Sequence, residues 1–504
     1  MITKILTGIP GFDSISNGGL PKGRTTLVSG TAGSSKTVFA VQFLAGGIVS
    51  ARDKTDTPKE AGVFITFEES PEDIKLNMAG FGWNIAEWET AGQWAFVDAS
   101  PQPDEEHIVS GTYDFGALLS RIEYAVSKVG ATRVSIDSMG AIFHRFDDRN
   151  LVRNELHRII MALKKLGVTA ILTSERNHEY GDIARHGIEE FVTDNVIVLR
   201  NVLDAESRRR TMEILKFRGT DHQKGEHPFT IVSDGGIVGV PLSTVALDHR
   251  SSKVRAPSGS TTLDQMCDGG FFRDSIVLIS GATGTGKTLM ATSFIDGASE
   301  DERSLFLAFE ESHDQLCRNA EGWGVDFGQM EKDGRLKIMA VYPEMTGLEE
   351  HLIRIKDAIE EFKPNRIALD SLSALERGSN SKGFREFVIG LTSFIKHKEI
   401  VAVFTSVTPS LMGGSSITEA HISTITDTII LLRYVELFGE ISRGIAVLKM
   451  RGSSHDKDIR EFNIGADGMH IGESFKNITG ILTGNPQYHE HTEAERLREM
   501  FSDE

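Results

Sequence analysis

Short apolar runs alternate along this chain with longer stretches of helical periodicity. Thr26-Leu27-Val28-Ser29, Val63-Phe64-Ile65-Thr66-Phe67 and Val134-Ser135-Ile136-Asp137 are runs of this kind, and each leads into a helix-like stretch. The rhythm returns later as Ile276-Val277-Leu278-Ile279, Leu305-Phe306-Leu307-Ala308-Phe309 and Ile367-Ala368-Leu369-Asp370. Continuous short apolar runs separated by helices predict a parallel sheet with helices against its faces. In such sheets the ligand groups gather at the carboxyl ends of the strands.

The two series are copies of one whole domain. Gly18-Gly19 meets Gly269-Gly270, and Phe67-Glu68-Glu69-Ser70 meets Phe309-Glu310-Glu311-Ser312. Val134-Ser135-Ile136-Asp137-Ser138 meets Ile367-Ala368-Leu369-Asp370-Ser371, and Leu215-Lys216-Phe217-Arg218-Gly219 meets Leu448-Lys449-Met450-Arg451-Gly452. The landmarks keep their order while loop lengths differ, and the period is far too long for a solenoid. The expected division is a first domain over 1–240, a polar linker over 241–259, a second domain over 260–478 and a tail over 479–504.

Each copy carries a phosphate-binding loop between an apolar run and a helix-like segment. The second reads Gly281, Ala282, Thr283, Gly284, Thr285, Gly286, Lys287, Thr288, a full G-x-x-x-x-G-K-[ST] pattern. The first reads Gly30, Thr31, Ala32, Gly33, Ser34, Ser35, Lys36, Thr37, with Ser35 where the last glycine belongs. Such loops curl backbone N–H groups around phosphates, the lysine neutralises phosphate oxygens, and the threonine hydroxyl ligates Mg²⁺. ATP or ADP with Mg²⁺ is therefore the expected ligand of both copies.

Phosphoryl transfer also needs carboxylates. Asp137 and Asp370 end apolar strands, where a metal-holding aspartate belongs, and with Thr37, Thr288 and Glu310 they form the expected Mg²⁺ set. The pairs Glu68/Glu69 and Glu310/Glu311 are the candidates for orienting a water or taking a hydroxyl proton. Adjacent residues on a strand face opposite sides, so one glutamate of each pair is expected at the nucleotide and the other in support. Capping of the next helix is the competing explanation, weakened because the pair recurs at the same place in both copies.

Late in each copy, Lys216/Arg218 and Lys449/Arg451 are spaced by two on a strand and so share a face. They read either as a solvated basic edge or as a pair reaching a neighbouring subunit's ATP. The second copy also holds a hydroxyl-rich stretch, Ser415 to Thr428, where the first has Glu189-Glu190-Phe191-Val192-Thr193-Asp194-Asn195.

Composition narrows the field. The chain has 504 residues, 39% hydrophobic and 25% charged, with a net charge of -18. That charge argues against a general electrostatic grip on nucleic acid. The two cysteines, Cys267 and Cys317, provide neither a disulfide framework nor a metal cluster and fit a reducing cytoplasm. No apolar run approaches the roughly 18 residues needed to span a bilayer.

Long and idiosyncratic strings identify the chain further. Ala420-His-Ile-Ser-Thr-Ile-Thr-Asp-Thr-Ile-Ile-Leu-Leu-Arg-Tyr-Val-Glu436, Lys449-Met-Arg-Gly-Ser-Ser-His-Asp-Lys457, Asp370-Ser-Leu-Ser-Ala-Leu-Glu-Arg377 and Tyr180-Gly-Asp-Ile-Ala-Arg-His-Gly-Ile-Glu-Glu-Phe-Val192 are among them. With these the chain resembles the KaiC family of circadian-clock ATPases and autokinases over nearly its whole length. The resemblance implies an α/β fold of two tandem RecA-like P-loop domains and a homohexamer with ATP at the subunit interfaces. It implies slow ATP hydrolysis in the first ring and reversible autophosphorylation in the second. Carried over by position, the phosphoacceptors are Ser423 and Thr424, with Thr418 as a relay. Glu310 is the base, Glu311 stands beside it, Arg377 lies near the acceptor segment, and Glu68/Glu69 activate water. Lys216, Arg218, Lys449 and Arg451 match residues that reach the neighbour's ATP. A KaiB-like protein on the first ring and a downstream signalling kinase are the implied partners.

Two departures qualify this. Ser35 adds a Cβ beside the phosphates and predicts altered nucleotide handling in the first ring. The tail around Tyr488-His-Glu-His-Thr-Glu493 does not match the segment that engages KaiA, which argues against KaiA as a partner. A divergent paralogue and a homologue working without KaiA both fit. Two other functions stay in competition: a RecA/DnaB-like DNA-dependent ATPase, and a ring scaffold cemented by ATP.

Overall fold

The computed structural model describes residues 2–52, 60–100, 115–143, 149–184, 187–204, 207–240, 251–408, 422, 424–437, 439–476, 478–481 and 487–488. The chain divides into two compact units, Met1–Thr244 and Val245–Glu504.

In the first unit nine strands form one sheet. They are β1 (Thr25–Gly30), β2 (Gly62–Thr66), β3 (Trp94–Asp98), β4 (Arg133–Asp137), β5 (Thr169–Glu175), β6 (Asn195–Asp204), β7 (Ser207–Phe217), β8 (Glu226–Val232) and β9 (Gly236–Gly239). Their spatial order is β3-β2-β4-β5-β1-β6-β7-β8-β9. The first six positions pair in parallel, and β7, β8 and β9 continue as an antiparallel meander. The second unit repeats this with β10 (Ile276–Gly281), β11 (Ser304–Ala308), β12 (Leu336–Ala340), β13 (Arg366–Asp370), β14 (Val401–Val407), β15 (Thr428–Leu437), β16 (Glu440–Met450), β17 (Arg460–Gly465) and β18 (Gly468–Ser474). Their order, β12-β11-β13-β14-β10-β15-β16-β17-β18, is the same topology. These are tandem RecA-like domains.

The central strands β1 and β10 are buried along their whole length. That is why they read as unbroken apolar runs rather than as alternating ones. Helices α1 (Lys36–Arg52) and α6 (Lys287–Asp296) follow them directly; between these in sequence come α2 (Pro71–Ala79), α3 (Ile85–Thr90), α4 (Phe115–Val129) and α5 (Arg149–Lys165). In the second unit α7 (His313–Glu321), α8 (Phe327–Lys332), α9 (Leu348–Phe362), α10 (Leu372–Arg377) and α11 (Ser381–His397) complete the cover. Phe39, Phe43, Phe64 and Trp94 pack in one core of the first unit, and Phe294, Phe306 and Phe327 in that of the second.

Helix α2 begins at Ser70, whose side chain accepts from the Asp73 N–H, with Pro71 in the first turn. Helix α7 begins with a capping box between Ser312 and Gln315. The serines thus do the capping, and the preceding glutamates are released from it.

In the stretch expected as linker, Arg255–Ala256 pairs antiparallel with Phe271–Phe272, and Ala256 is buried. In the tail, Ile478–Thr479 pairs with Gln487–Tyr488.

Candidate functional site

In both units the phosphate-binding loop leaves the carboxyl end of the central strand and turns into a helix. Lys36 Nζ donates to the Thr31 carbonyl at 3.0 Å, and Lys287 Nζ to the Ala282 carbonyl at 2.9 Å. Ser34 Oγ braces the first loop on the Thr31 carbonyl at 2.8 Å, and Thr285 Oγ1 braces the second on the Ala282 carbonyl at 2.8 Å. Gly33 and Gly284 both turn at positive φ. The residue before the lysine also needs the left-handed region: Gly286 has φ 102° and Ser35 has φ 75°. Ser35 thus holds a conformation that a side chain disfavours. A Cβ on Gly281 would meet the Leu432 carbonyl oxygen at 2.7 Å, which fixes glycine at the loop's start.

The threonine and the aspartate meet. Thr37 Oγ1 donates to Asp137 Oδ2 at 2.6 Å, and Thr288 Oγ1 to Asp370 Oδ2 at 2.6 Å. The other oxygen of each aspartate accepts from a threonine one strand over, Thr173 and Thr405. Burial pushes the Asp370 carboxyl up, against the pull of the Thr288 and Thr405 hydrogen bonds and the Lys287 charge. Burial likewise lowers both lysines, opposed at Lys36 by Glu175, Asp137 and Glu68, and at Lys287 by Asp370 and Glu310. Two threonine hydroxyls gathered on one carboxylate make a cluster of hard oxygens, the donor type that suits a hard cation.

The glutamate pairs lie in the bend just beyond β2 and β11 rather than on the strands. Their side chains still diverge. Glu68 accepts from Ser138 Oγ at 3.3 Å, while Glu69 accepts from Asn77 on α2 at 3.3 Å. Glu310 forms an ion pair with Arg377 Nη2 at 2.6 Å, while Glu311 accepts from Asn319 on α7 at 3.1 Å. Partial burial raises the Glu68 carboxyl, and the charges of Glu175 and Asp137 add to this. In the second unit it is Glu311 that burial raises, with Asp370 and Glu310 adding.

Sequence reasoning missed several neighbours. Thr173 and Thr405 were detectable, because both copies place Thr-Ser at the end of that strand. Asn77 and Asn319 recur at matching positions and were detectable in the same way. Glu179 carried no such signal: it accepts from Thr31 Oγ1 at 2.6 Å and from the Asn201 N–H at 3.0 Å.

The late basic pairs are not at their own domain's loop. Lys216 sits opposite Val196 near the start of β6, while the end of β1 is level with Leu199. Lys216 Nζ donates to the Glu190 and Thr193 carbonyls at 2.8 and 2.6 Å, and Arg218 lies 3.8 Å from Asp194. In the second unit Lys449 Nζ donates to the Thr426 carbonyl and Arg451 Nη2 to the Thr424 carbonyl, each at 2.8 Å. Arg451 also lies 3.7 Å from Asp427. Burial lowers Lys216 and Lys449, and the neighbouring Arg218 and Arg451 charges lower them further. Thr424 is exposed. Ser423 and Thr418 lie outside the described residues, as does most of the tail.

Comparison with known proteins gives one family. A family model described as "ATPase: KaiC" matches residues 5–243 and again 256–476. The chain is 63% identical over 503 residues to the circadian clock protein KaiC3 of a Synechocystis strain, covering 100% of this chain and 98% of that protein. It is 54% identical over 506 residues to the circadian clock oscillator protein KaiC of Thermosynechococcus vestitus, covering 100% and 96%. It is 54% identical over 486 residues to the protein of the same name from Synechococcus elongatus, covering 96% and 92%.

Proposed function

Because the chain belongs to the KaiC family, we propose that it is a ring-forming ATPase and autokinase. Its second domain transfers phosphate from ATP to Ser423 and Thr424, and it works in a clock or timing system of the kind its relatives' names describe. A cytoplasmic setting, where ATP is available, belongs to the same reading, as do a homohexamer and a KaiB-like partner.

One observation carries the mechanism. Strand β15 runs parallel to β10, with Val277 level with Thr428 and Gly281 level with Leu432. Thr424 therefore precedes the amino end of this part of the sheet, while the phosphate loop lies beyond its carboxyl end. The four residue steps between those levels alone span about 13 Å. A chain cannot bring Thr424 to its own nucleotide, so the acceptor of one copy meets the loop of a neighbour. Lys449 and Arg451, which hold the Thr424–Thr426 backbone, then travel with the acceptor to the neighbour's phosphates. In the first domain Lys216 and Arg218 occupy the same relative place.

Mg²⁺, when bound, neutralises the phosphate oxygens between which charge moves. Thr288 and Asp370 in the second domain, and Thr37 and Asp137 in the first, would hold it. Glu310 takes the proton of the acceptor hydroxyl, and Arg377, 2.6 Å away, aims it. Asn319 holds Glu311 against α7. In the first domain Glu68 orients a water, since no hydroxyl-rich segment supplies an acceptor there. DNA-stimulated ATPase activity is disfavoured by the net charge of -18.

Mixed rings test this. One subunit carries Lys287→Ala with intact acceptors; the other carries Ser423→Ala and Thr424→Ala with an intact loop. Phosphate on the Lys287→Ala chain, seen by mass spectrometry only after mixing, is the expected result. Phosphate on neither chain of the mixture, with wild type phosphorylated, rejects transfer between copies. An unphosphorylated wild type rejects the autokinase reading.

A further inference from the structure

We propose that His313, Cys317 and Glu331 form a binding site for a borderline-soft divalent cation of the Zn²⁺ class on the second domain. The site stands apart from the nucleotide chemistry and does not rest on it. His313 and Cys317 are one turn apart on α7, so they share a face; Glu331 comes from the neighbouring α8. His313 Nε2 lies 2.8 Å from Glu331 Oε2 and 3.9 Å from Cys317 Sγ. All three donor atoms lie within 4.8 Å of one another. Nitrogen, sulfur and oxygen ligands of a tetrahedral Zn²⁺ stand roughly 3–4 Å apart, so side-chain rotation alone closes the set. The Asp314 carboxylate is 3.2 Å from His313 Nδ1, the outer partner that fixes a ligating imidazole with Nε2 toward the ion. Because His313 is about half exposed, a water can take the fourth position.

The first domain supplies an internal comparison. Aligning Glu68-Glu69-Ser70 with Glu310-Glu311-Ser312 places Pro71, Lys75 and Glu89 at the positions of His313, Cys317 and Glu331. There Lys75 Nζ sits 2.6 Å from Glu89 Oε2. The first domain thus neutralises its carboxylate with a tethered ammonium. The second keeps the carboxylate, drops the ammonium, and gains an imidazole and a thiol at the two adjoining positions. Asp314 and Asp326 add negative charge around Cys317. The second domain has replaced a built-in cation by ligands for a free one. On binding, the metal–sulfur bond forms as the thiol proton leaves to solvent, and the imidazole gives up the Nε2 proton it shares with Glu331. The ion then links α7 to α8, and α7 also carries Asn319, the partner of Glu311.

Co²⁺ is the probe, titrated into the full chain after chelator treatment, without nucleotide or Mg²⁺. A thiolate-to-Co²⁺ charge-transfer band should saturate at about one ion per chain and vanish when Zn²⁺ displaces Co²⁺. Cys317→Ser should abolish the band, and Cys267→Ser should keep it. His313→Ala and Glu331→Gln should each weaken Co²⁺ binding by about tenfold or more, since loss of even an outer partner costs that much. Cys317→Lys, which rebuilds the first domain's ion pair, should fold and bind nothing here. Absence of the band at saturating Co²⁺, or its survival in Cys317→Ser, overturns the proposal.

Discussion

Thr288 Oγ1 donates to Asp370 Oδ2 at 2.6 Å, and Thr37 meets Asp137 across the same distance in the other domain. The bond joins the helix start after the phosphate loop to the strand end beside it, so the oxygens proposed to hold Mg²⁺ are already together. Asp370→Asn keeps the shape and removes the charge. It should cut the Mg²⁺-dependent gain in ATP affinity of the second domain by about tenfold or more, at the scale of lost charged partners. Titrations with and without Mg²⁺ measure that gain; an unaltered ratio would put the metal elsewhere.

Ser35 and Gly286 occupy the same turn with φ of 75° and 102°. Ser35→Gly should stabilise the nucleotide-free first domain by about 1 kcal/mol through relief of left-handed strain. Gly286→Ser should cost the second domain about 1–2 kcal/mol. There a Cβ would also meet Ile464 Cδ1 at 3.1 Å. Calorimetry of both variants decides. A lowered first-domain melting temperature in Ser35→Gly would show that the serine side chain stabilises the loop.

Glu310 accepts from Arg377 Nη2 at 2.6 Å. Glu310→Gln should slow autophosphorylation by about 10²–10⁴-fold, the usual contribution of a positioned base. Arg377→Met leaves the carboxylate in place without its guide and should slow it less, by about tenfold. Time courses of phosphate incorporation separate the two. A Glu310→Gln enzyme as fast as wild type would shift the role to Glu311.

Buried Asp194 pairs with Lys164 at 2.8 Å and accepts from the Thr25 N–H at 3.3 Å. Burial pushes its carboxyl up, but the Lys164 and Thr25 hydrogen bonds outweigh this and hold it below the ordinary value. The folded value is lower than the unfolded one. The stabilisation is therefore present above the ordinary aspartate range, about 3.9, and is lost as pH falls through the depressed value. Asp194→Asn should cost about 1–2 kcal/mol at neutral pH, discounted because Lys164 is one-third exposed. Urea unfolding should show the gap to wild type closing below about pH 4. A gap that persists there would mean a packing effect rather than a charge effect.

Burial pushes the Cys267 thiol up to about 12; partial burial and the charges of Glu331, Asp314 and Asp326 raise Cys317 as well, but Cys317 is only partly covered and so within a reagent's reach. Iodoacetamide should label Cys317 in the folded chain and reach Cys267 only on unfolding, because the thiolate is the nucleophile. Peptide mass spectrometry reads both sites, and Zn²⁺ loaded beforehand should protect Cys317. Labelling of Cys267 in the folded protein would contradict this burial.

By itself the sequence determined the duplication, the parallel sheets, the phosphate loops and the aspartates at the strand ends. All of these are written locally: strand periods, glycines at required turns, and an acid at the end of an apolar run. Recurrence of Glu-Glu in both copies marked the pair as a candidate for a role beyond capping, and the structure gives the capping to Ser70 and Ser312 instead. Tertiary structure alone decided which glutamate faces which neighbour. Asn77, Asn319 and Arg377 act from other elements, and residue spacing says nothing of where those elements dock. It likewise decided that Lys449 and Arg451 grip the Thr424–Thr426 backbone at the end of the sheet away from their own phosphate loop. Strand direction and register fix that separation, and both arise from pairing between segments far apart in the chain. The His313, Cys317 and Glu331 cluster has the same origin in part: His313 and Cys317 stand one turn apart on α7, a spacing written in the sequence, but only the packing of α7 on α8 brings the Glu331 carboxylate to them.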